Sequence, residues 1–145
     1  MKIIIVSGGF DPLHIGHINY LCSARELGDY LLVILNSDDF LSKKKGFIFM
    51  SLSERIEILK SLRYVDEVVK CIDIDDTVCE SLRKVKETAG DVELIFAKGG
   101  DRTLENIPER AICEELGIEM LFHIGGDKVQ SSSELARKLI ERNKL

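Results

Sequence analysis

Residues 2–17 read Lys2-Ile3-Ile4-Ile5-Val6-Ser7-Gly8-Gly9-Phe10-Asp11-Pro12-Leu13-His14-Ile15-Gly16-His17. The β-branched run to Val6, broken by Ser7-Gly8-Gly9, predicts a buried strand that feeds a glycine turn. From His17 the apolar residues Ile18, Leu21, Cys22 and Leu27 recur at helical spacing until Gly28-Asp29 stops the pattern. Two histidines three apart then share one face of the helix's first turn. Unsatisfied N–H groups and the positive end of the helix dipole attract phosphate there, and Gly16 leaves room for a ligand to approach the backbone. Capping of the helix by two surface histidines is the plainer alternative, and the preceding strand and Gly-Gly turn favour the phosphate reading.

The same alternation continues outward. Strands are expected at Tyr30–Leu35, Val65–Ile72, Val92–Ala97 and Ile118–Ile124, and residues 36–49 read as a loop. Ser51 with Glu54 forms a capping-box pattern ahead of Ile56, Leu59 and Leu62; Ser131 with Glu134 repeats it ahead of Leu135, Leu139 and Ile140. Asp75 or Asp76 is expected to cap a helix that carries Val78, Leu82 and Val85 and closes near Gly90, and a further helix runs from Glu109 to Leu116 with Gly117 as its stop. Short apolar strands alternating with helices predict an α/β fold, a doubly wound five-stranded parallel sheet. Ligands of such sheets bind at the carboxyl ends of the strands, which puts residues 7–17, 36–49, 98–102 and 125–133 on one rim.

The 145 residues carry 20 Lys+Arg against 25 Asp+Glu, a net charge of −5, with 45% hydrophobic content, so one folded domain over residues 1–145 is expected. No apolar run is long enough for a bilayer span or a signal peptide, and the acidic balance offers no footprint for nucleic acid. Cys22, Cys71, Cys79 and Cys113 match no metal or redox spacing; they read as small core hydrophobes of a protein kept in a reducing cytoplasm. The acidic stretch 73–76 reads as a strand exit and helix cap rather than a metal site.

The turn Gly8 to His17 resembles the G-x-F-D-x-x-H-x-G-H signature of the cytidylyltransferase-like nucleotidyltransferases. Residues 51–68, with Arg55 and Arg63-Tyr64-Val65-Asp66-Glu67-Val68, resemble the middle of the glycerol-3-phosphate cytidylyltransferases, and Gln130-Ser131-Ser132-Ser133 stands where they have Ile-Ser-Thr-Thr. Two departures stand out. Gly126-Asp127-Lys128-Val129 replaces an Arg-Thr-x-Gly stretch, so a lysine that cannot grip phosphate bidentately stands in for an arginine. Lys98-Gly99-Gly100-Asp101 resembles the heptose-1-phosphate adenylyltransferases instead.

The resemblance implies a Rossmann-like nucleotidyltransferase in which His14, His17 and Lys44 carry the reaction. It implies nucleotide contacts from Gly8, Gly9, Phe10, Asp11, Gly16, Arg63, Lys98, Gly99, Asp101, Gln130, Ser131, Ser132 and Ser133, and acceptor contacts from Lys44, Arg55 and Arg102. Bland readings stand beside these: Lys43-Lys44-Lys45 as a solvated charge run, Arg63 as a surface arginine paired with Asp66 or Glu67, and Ser131–Ser133 as a helix cap that doubles as a phosphate cradle. Asp11 either orients the turn or holds a magnesium-bound water. Mg2+ is expected with the nucleotide phosphates, no residue being assigned as its ligand. The partners implied are a nucleoside triphosphate, with CTP favoured over ATP, and a polyol or sugar phosphate acceptor, in a homodimer without nucleic acid or membrane. A non-catalytic nucleotide-binding regulatory module is the alternative of another class. The chain is too short for a class I aminoacyl-tRNA synthetase, which shares the His-Ile-Gly-His signature.

Overall fold

The strands β1 (Lys2–Gly8), β2 (Tyr30–Leu35), β3 (Glu67–Lys70), β4 (Glu93–Gly99) and β5 (Glu119–Ile124) pair in parallel in the order β3-β2-β1-β4-β5. The chain winds from β1 outward through β2 to β3, then returns across the sheet to β4, so the switch point lies between β1 and β4. The computed structural model describes residues 1–100, 107–125, 137–139 and 141. Asp101, Arg102, Lys128 and Gln130–Ser133, with the expected cap at Ser131, lie outside the described residues.

Alternation along each strand sends neighbouring side chains to opposite faces. Ile3, Ile5, Leu32, Ile34, Leu94 and Phe96 meet Leu82 and Val85 of α4 (Cys79–Ala89) and Ile112 and Cys113 of α5 (Arg110–Leu116). On the other face Ile4, Val6, Leu31, Val33, Leu35, Ile95 and Ala97 pack on Leu21 and Ala24 of α1 (Ile15–Arg25) and Leu59 of α3 (Leu52–Lys60). Both faces are thus buried, as the near-continuous apolar strands required. Among the described residues no helix is long and apolar enough to cross a membrane.

Three expectations are corrected. Residues 36–49 are not a loop but contain α2 (Asp38–Lys45): the Ser37 side chain accepts from Phe40 N–H at 3.1 Å, Asp38 and Asp39 sit in the first turn, and Lys43–Lys45 sit in the last. Those charges complement the helix dipole at both ends, while Leu41 is the one buried side chain, too little apolar periodicity to read. β3 is shorter than Val65–Ile72 because Val65 N–H turns back to Leu62 O and Ile72 N–H goes to Ser81 Oγ at 2.9 Å. The start of α4 is held by Asp73, not Asp75 or Asp76: its carboxylate accepts from Glu80 N–H at 2.8 Å, Ser81 N–H at 2.9 Å and Ser81 Oγ at 2.6 Å. Of the cysteines, Cys113 is buried in the core, whereas Cys22, Cys71 and Cys79 are half-buried free thiols.

Candidate active site

β1 delivers the chain to the switch point, and α1 begins there with His14 as its N-cap. His14 Nδ1 accepts from Gly16 N–H at 3.1 Å, and His17 Nδ1 accepts from His14 N–H at 3.3 Å. The imidazole rings stack with centroids 3.8 Å apart. Because each Nδ1 lone pair is taken by a backbone donor, each neutral ring carries its proton on Nε2. The helix cap therefore sets the tautomer and puts both Nε2–H groups at a helix N-terminus, that of His14 being buried. Gly16 N–H is spent on the cap. Phe10, buried in the left-handed region at φ 51°, sets its ring edge-on to His17 at 4.9 Å. A non-glycine residue held there is a strained conformation that the surrounding packing must enforce.

Asp11, followed by a cis peptide to Pro12, is wholly buried. Its carboxylate accepts from Phe49 N–H at 2.9 Å and Met50 N–H at 2.7 Å and pairs with Lys45 Nζ at 3.5 Å. Lys45 Nζ also donates to Asp11 O. Of the two roles expected for Asp11, orienting the turn fits; a carboxylate so enclosed does not fit a magnesium-bound water. Gly9 lets α2 close in, since a Cβ there would lie 2.5 Å from Leu41 Cδ2.

Arg55 is corrected from an acceptor contact to a positioning residue. Wholly buried, it donates through Nε to Met50 O at 3.0 Å and through its terminal nitrogens to Gly9 O at 2.9 Å, Asn36 O at 2.8 Å and Asp38 Oδ1 at 2.7 Å. It thereby ties together the signature turn, the exit of β2 and the start of α2. Within the lysine run the inward member is Lys45, and Lys44 is exposed with Nζ 5.8 Å from the Phe40 ring centroid. The sequence could not separate them, because the run was not read as helical.

On the far side of the switch point, Tyr20 donates to Ala97 O at 2.5 Å, where the β4–β5 register slips. Its ring lies against Gly99, where a Cβ would sit 3.3 Å from Tyr20 Cδ1. Spaced i, i+3 from His17, Tyr20 fastens the histidine face of α1 to the end of β4. His123, in the bulge at φ 59°, places Nδ1 3.1 Å from Gly100 O and steadies that same turn. Neither residue was singled out by sequence, since each acts through a backbone oxygen. Lys98 is buried on the opposite face from α1, with Nζ 4.9 Å from the Phe96 ring centroid. Glu109, also missed, is buried with Oε2 lacking a hydrogen-bond partner among the described residues. Burial, reinforced by Glu109, pushes the Cys113 thiol up to about 12, so it stays protonated and is no nucleophile.

Arg63, expected to contact the nucleotide, stands apart from the histidines. It precedes β3, which places it at the amino-terminal edge of the sheet, and its guanidinium donates to Tyr64 Oη at 2.9 Å. The opposite rim holds the histidines. Asp66 pairs instead with Arg25 at 3.0 Å. Among the described residues no group of three or more His, Cys, Asp or Glu side chains could hold a metal ion.

The cytidylyltransferase-like family model matches residues 5–145. The chain belongs to the cytidylyltransferase-like family of nucleotidyltransferases. This cytidylyltransferase-like protein is 44% identical over 117 residues to the FAD synthase of Thermococcus sibiricus, covering 79% of this chain and 72% of that one. It is 35% identical to the bifunctional protein HldE of Pelobacter propionicus, covering 97% of this chain and 28% of HldE. With the ethanolamine-phosphate cytidylyltransferase of Dictyostelium discoideum it shares 34% identity, over 97% of this chain and 38% of the relative. The chain thus spans less than half the length of the latter two. Among solved structures, the lipopolysaccharide core biosynthesis protein of Thermoplasma volcanium GSS1 superposes with a TM-score of 0.65 at 26% identity, covering 84% of this chain and 93% of that one. That match accords with the parallel sheet flanked by helices on both faces.

Proposed function

We propose that the protein transfers a nucleoside monophosphate from a nucleoside triphosphate to a phosphorylated small molecule, releasing pyrophosphate. The observation that carries this reading is the reciprocal cap of His14 and His17, which fixes two Nε2–H groups at the switch point. An oxygen of the acceptor phosphate attacks the α-phosphorus in line. A new P–O–P link forms, and the bond from the α-phosphorus to the bridging oxygen breaks with its electron pair leaving on pyrophosphate. The acceptor is already ionised near neutral pH, so the residues' task is positioning and charge stabilisation. His14 and His17 donate to oxygens of the α- and β-phosphates. Lys44 holds the acceptor phosphate, and Ser131–Ser133 keep the β,γ end that the resemblance implies for them. A magnesium ion bound to the triphosphate would offset its charge.

For the base, similarity to an FAD synthase and the Lys98–Asp101 segment support ATP. CTP is the second reading, supported by residues 63–68 and the ethanolamine-phosphate relative, but weakened by the distance of Arg63 from the histidine rim. Four free cysteines suit a cytoplasmic setting, and a homodimer belongs to the same reading. Pyrophosphate release with ATP and CTP, crossed against a panel of acceptor phosphates, tests the reading. Release with one pair, lost in His17→Ala, supports it. Nucleotide binding without release from any pair favours the regulatory module.

A further inference from the structure

The Lys98–Gly100 turn ends β4, on one side of β1. Lys44, to which the reading above gives the acceptor phosphate, lies in the last turn of α2, which follows β2 on the other side of β1, so α2 and the residues after it are the acceptor's side. That side is built onto the signature turn at several points: Leu41 against Gly9, Lys45 on Asp11, and Phe49 and Met50 N–H on the Asp11 carboxylate. Immediately after the lysines and Gly46 come Phe47-Ile48-Phe49-Met50. Phe47 and Phe49 pack edge to face with centroids 5.0 Å apart, and Phe49 is 37% exposed.

This wall offers a polyol little. No side chain of residues 47–50 bears a strong hydrogen-bonding group. The N–H groups of Phe49 and Met50 are taken by Asp11, and Met50 O accepts from Arg55 Nε. Hydroxyl groups brought against these four side chains would lose water without gaining partners. An aromatic pair instead offers faces and edges to a planar ring.

We propose that Phe47 and Phe49 are specificity-determining residues that select a phosphate monoester bearing a planar heteroaromatic ring, its phosphate held by Lys44 at the end of α2. This rests on the nucleotidyltransferase reading above. The test measures pyrophosphate release by the full chain with ATP and with CTP. Flavin mononucleotide and pyridoxal phosphate are set against glycerol 3-phosphate and ribitol 5-phosphate. A ring-bearing acceptor is expected to exceed both polyol phosphates in kcat/KM by about ten-fold, the scale of one stacking contact. Phe49→Ala is expected to raise that acceptor's KM by a similar factor, Phe49→Tyr to restore it, and Phe49→Leu, which keeps the apolar volume without the ring, to fail to restore it. Equal or better use of a polyol phosphate overturns the proposal and leaves the transferase standing, as does a Phe49→Ala effect confined to the nucleotide's KM. No release with any acceptor, together with no binding of ATP or CTP, overturns both.

Discussion

At the scale of single residues, His17 and Arg55 separate chemistry from architecture. His17→Ala removes a proposed phosphate donor and one cap acceptor. Turnover is expected to fall by about 10²–10³-fold, the range for losing one preorganised donor. Stability should fall by only about 1 kcal/mol, the usual cost of a lost cap. His17→Gln, whose carbonyl can take His14 N–H, should recover most of that stability but not the turnover. Arg55→Ala strands three backbone carbonyls and Asp38, so denaturant titration should show a loss of about 3–5 kcal/mol with activity falling alongside it. If Arg55→Ala left stability intact while raising only the acceptor's KM, the direct contact expected from sequence would be reinstated. The histidine pair was legible because its spacing and glycine context are local. The duty of Arg55 was not, because its partners lie 5, 17, 19 and 46 residues away in sequence.

Among elements, α4 shows how a cap escapes sequence reading. Local preference points to an aspartate one or two residues before a helix, whereas Asp73 reaches Glu80 and Ser81 across a turn that Asp75 and Thr77 stabilise between themselves at 2.7 Å. Asp73→Ala is expected to cost about 1–2 kcal/mol by thermal or urea unfolding, and Asp76→Ala close to nothing. Equal losses from both would return the cap to the nearer residue. Strands β1, β2 and β4 were legible within two residues at each end because burial on both faces makes their middles almost wholly apolar, and β5, an edge strand with no fully buried residue, was legible from the Gly117 stop and the apolar residues after it. Helix α2 was hidden because charge at its ends, rather than an apolar stripe, holds it in place.

For the whole molecule, the alkaline limit follows from two groups on the same side of the sheet. The Glu67 carboxylate accepts the Tyr30 hydroxyl at 2.7 Å and, with partial burial, raises it from 10.0 to about 12. Cys113 is likewise raised from 9.0 to about 12. Over that interval the unfolded chain releases protons that the folded chain keeps, so stability is full below about pH 9 and declines toward pH 12. Urea midpoints taken from pH 8 upward should fall, and Tyr30→Phe should flatten the upper part of the decline; an unchanged slope in that variant would remove Tyr30 from the account. The winding of the sheet has another consequence. Residues 37–50 form a contiguous cassette, while the anchors that seat it, Gly9, Asp11 and Arg55, lie outside it. Such a segment can be exchanged by a single graft between related chains, so under the proposed function new acceptor preferences can evolve in this scaffold without rebuilding the rest of the sheet.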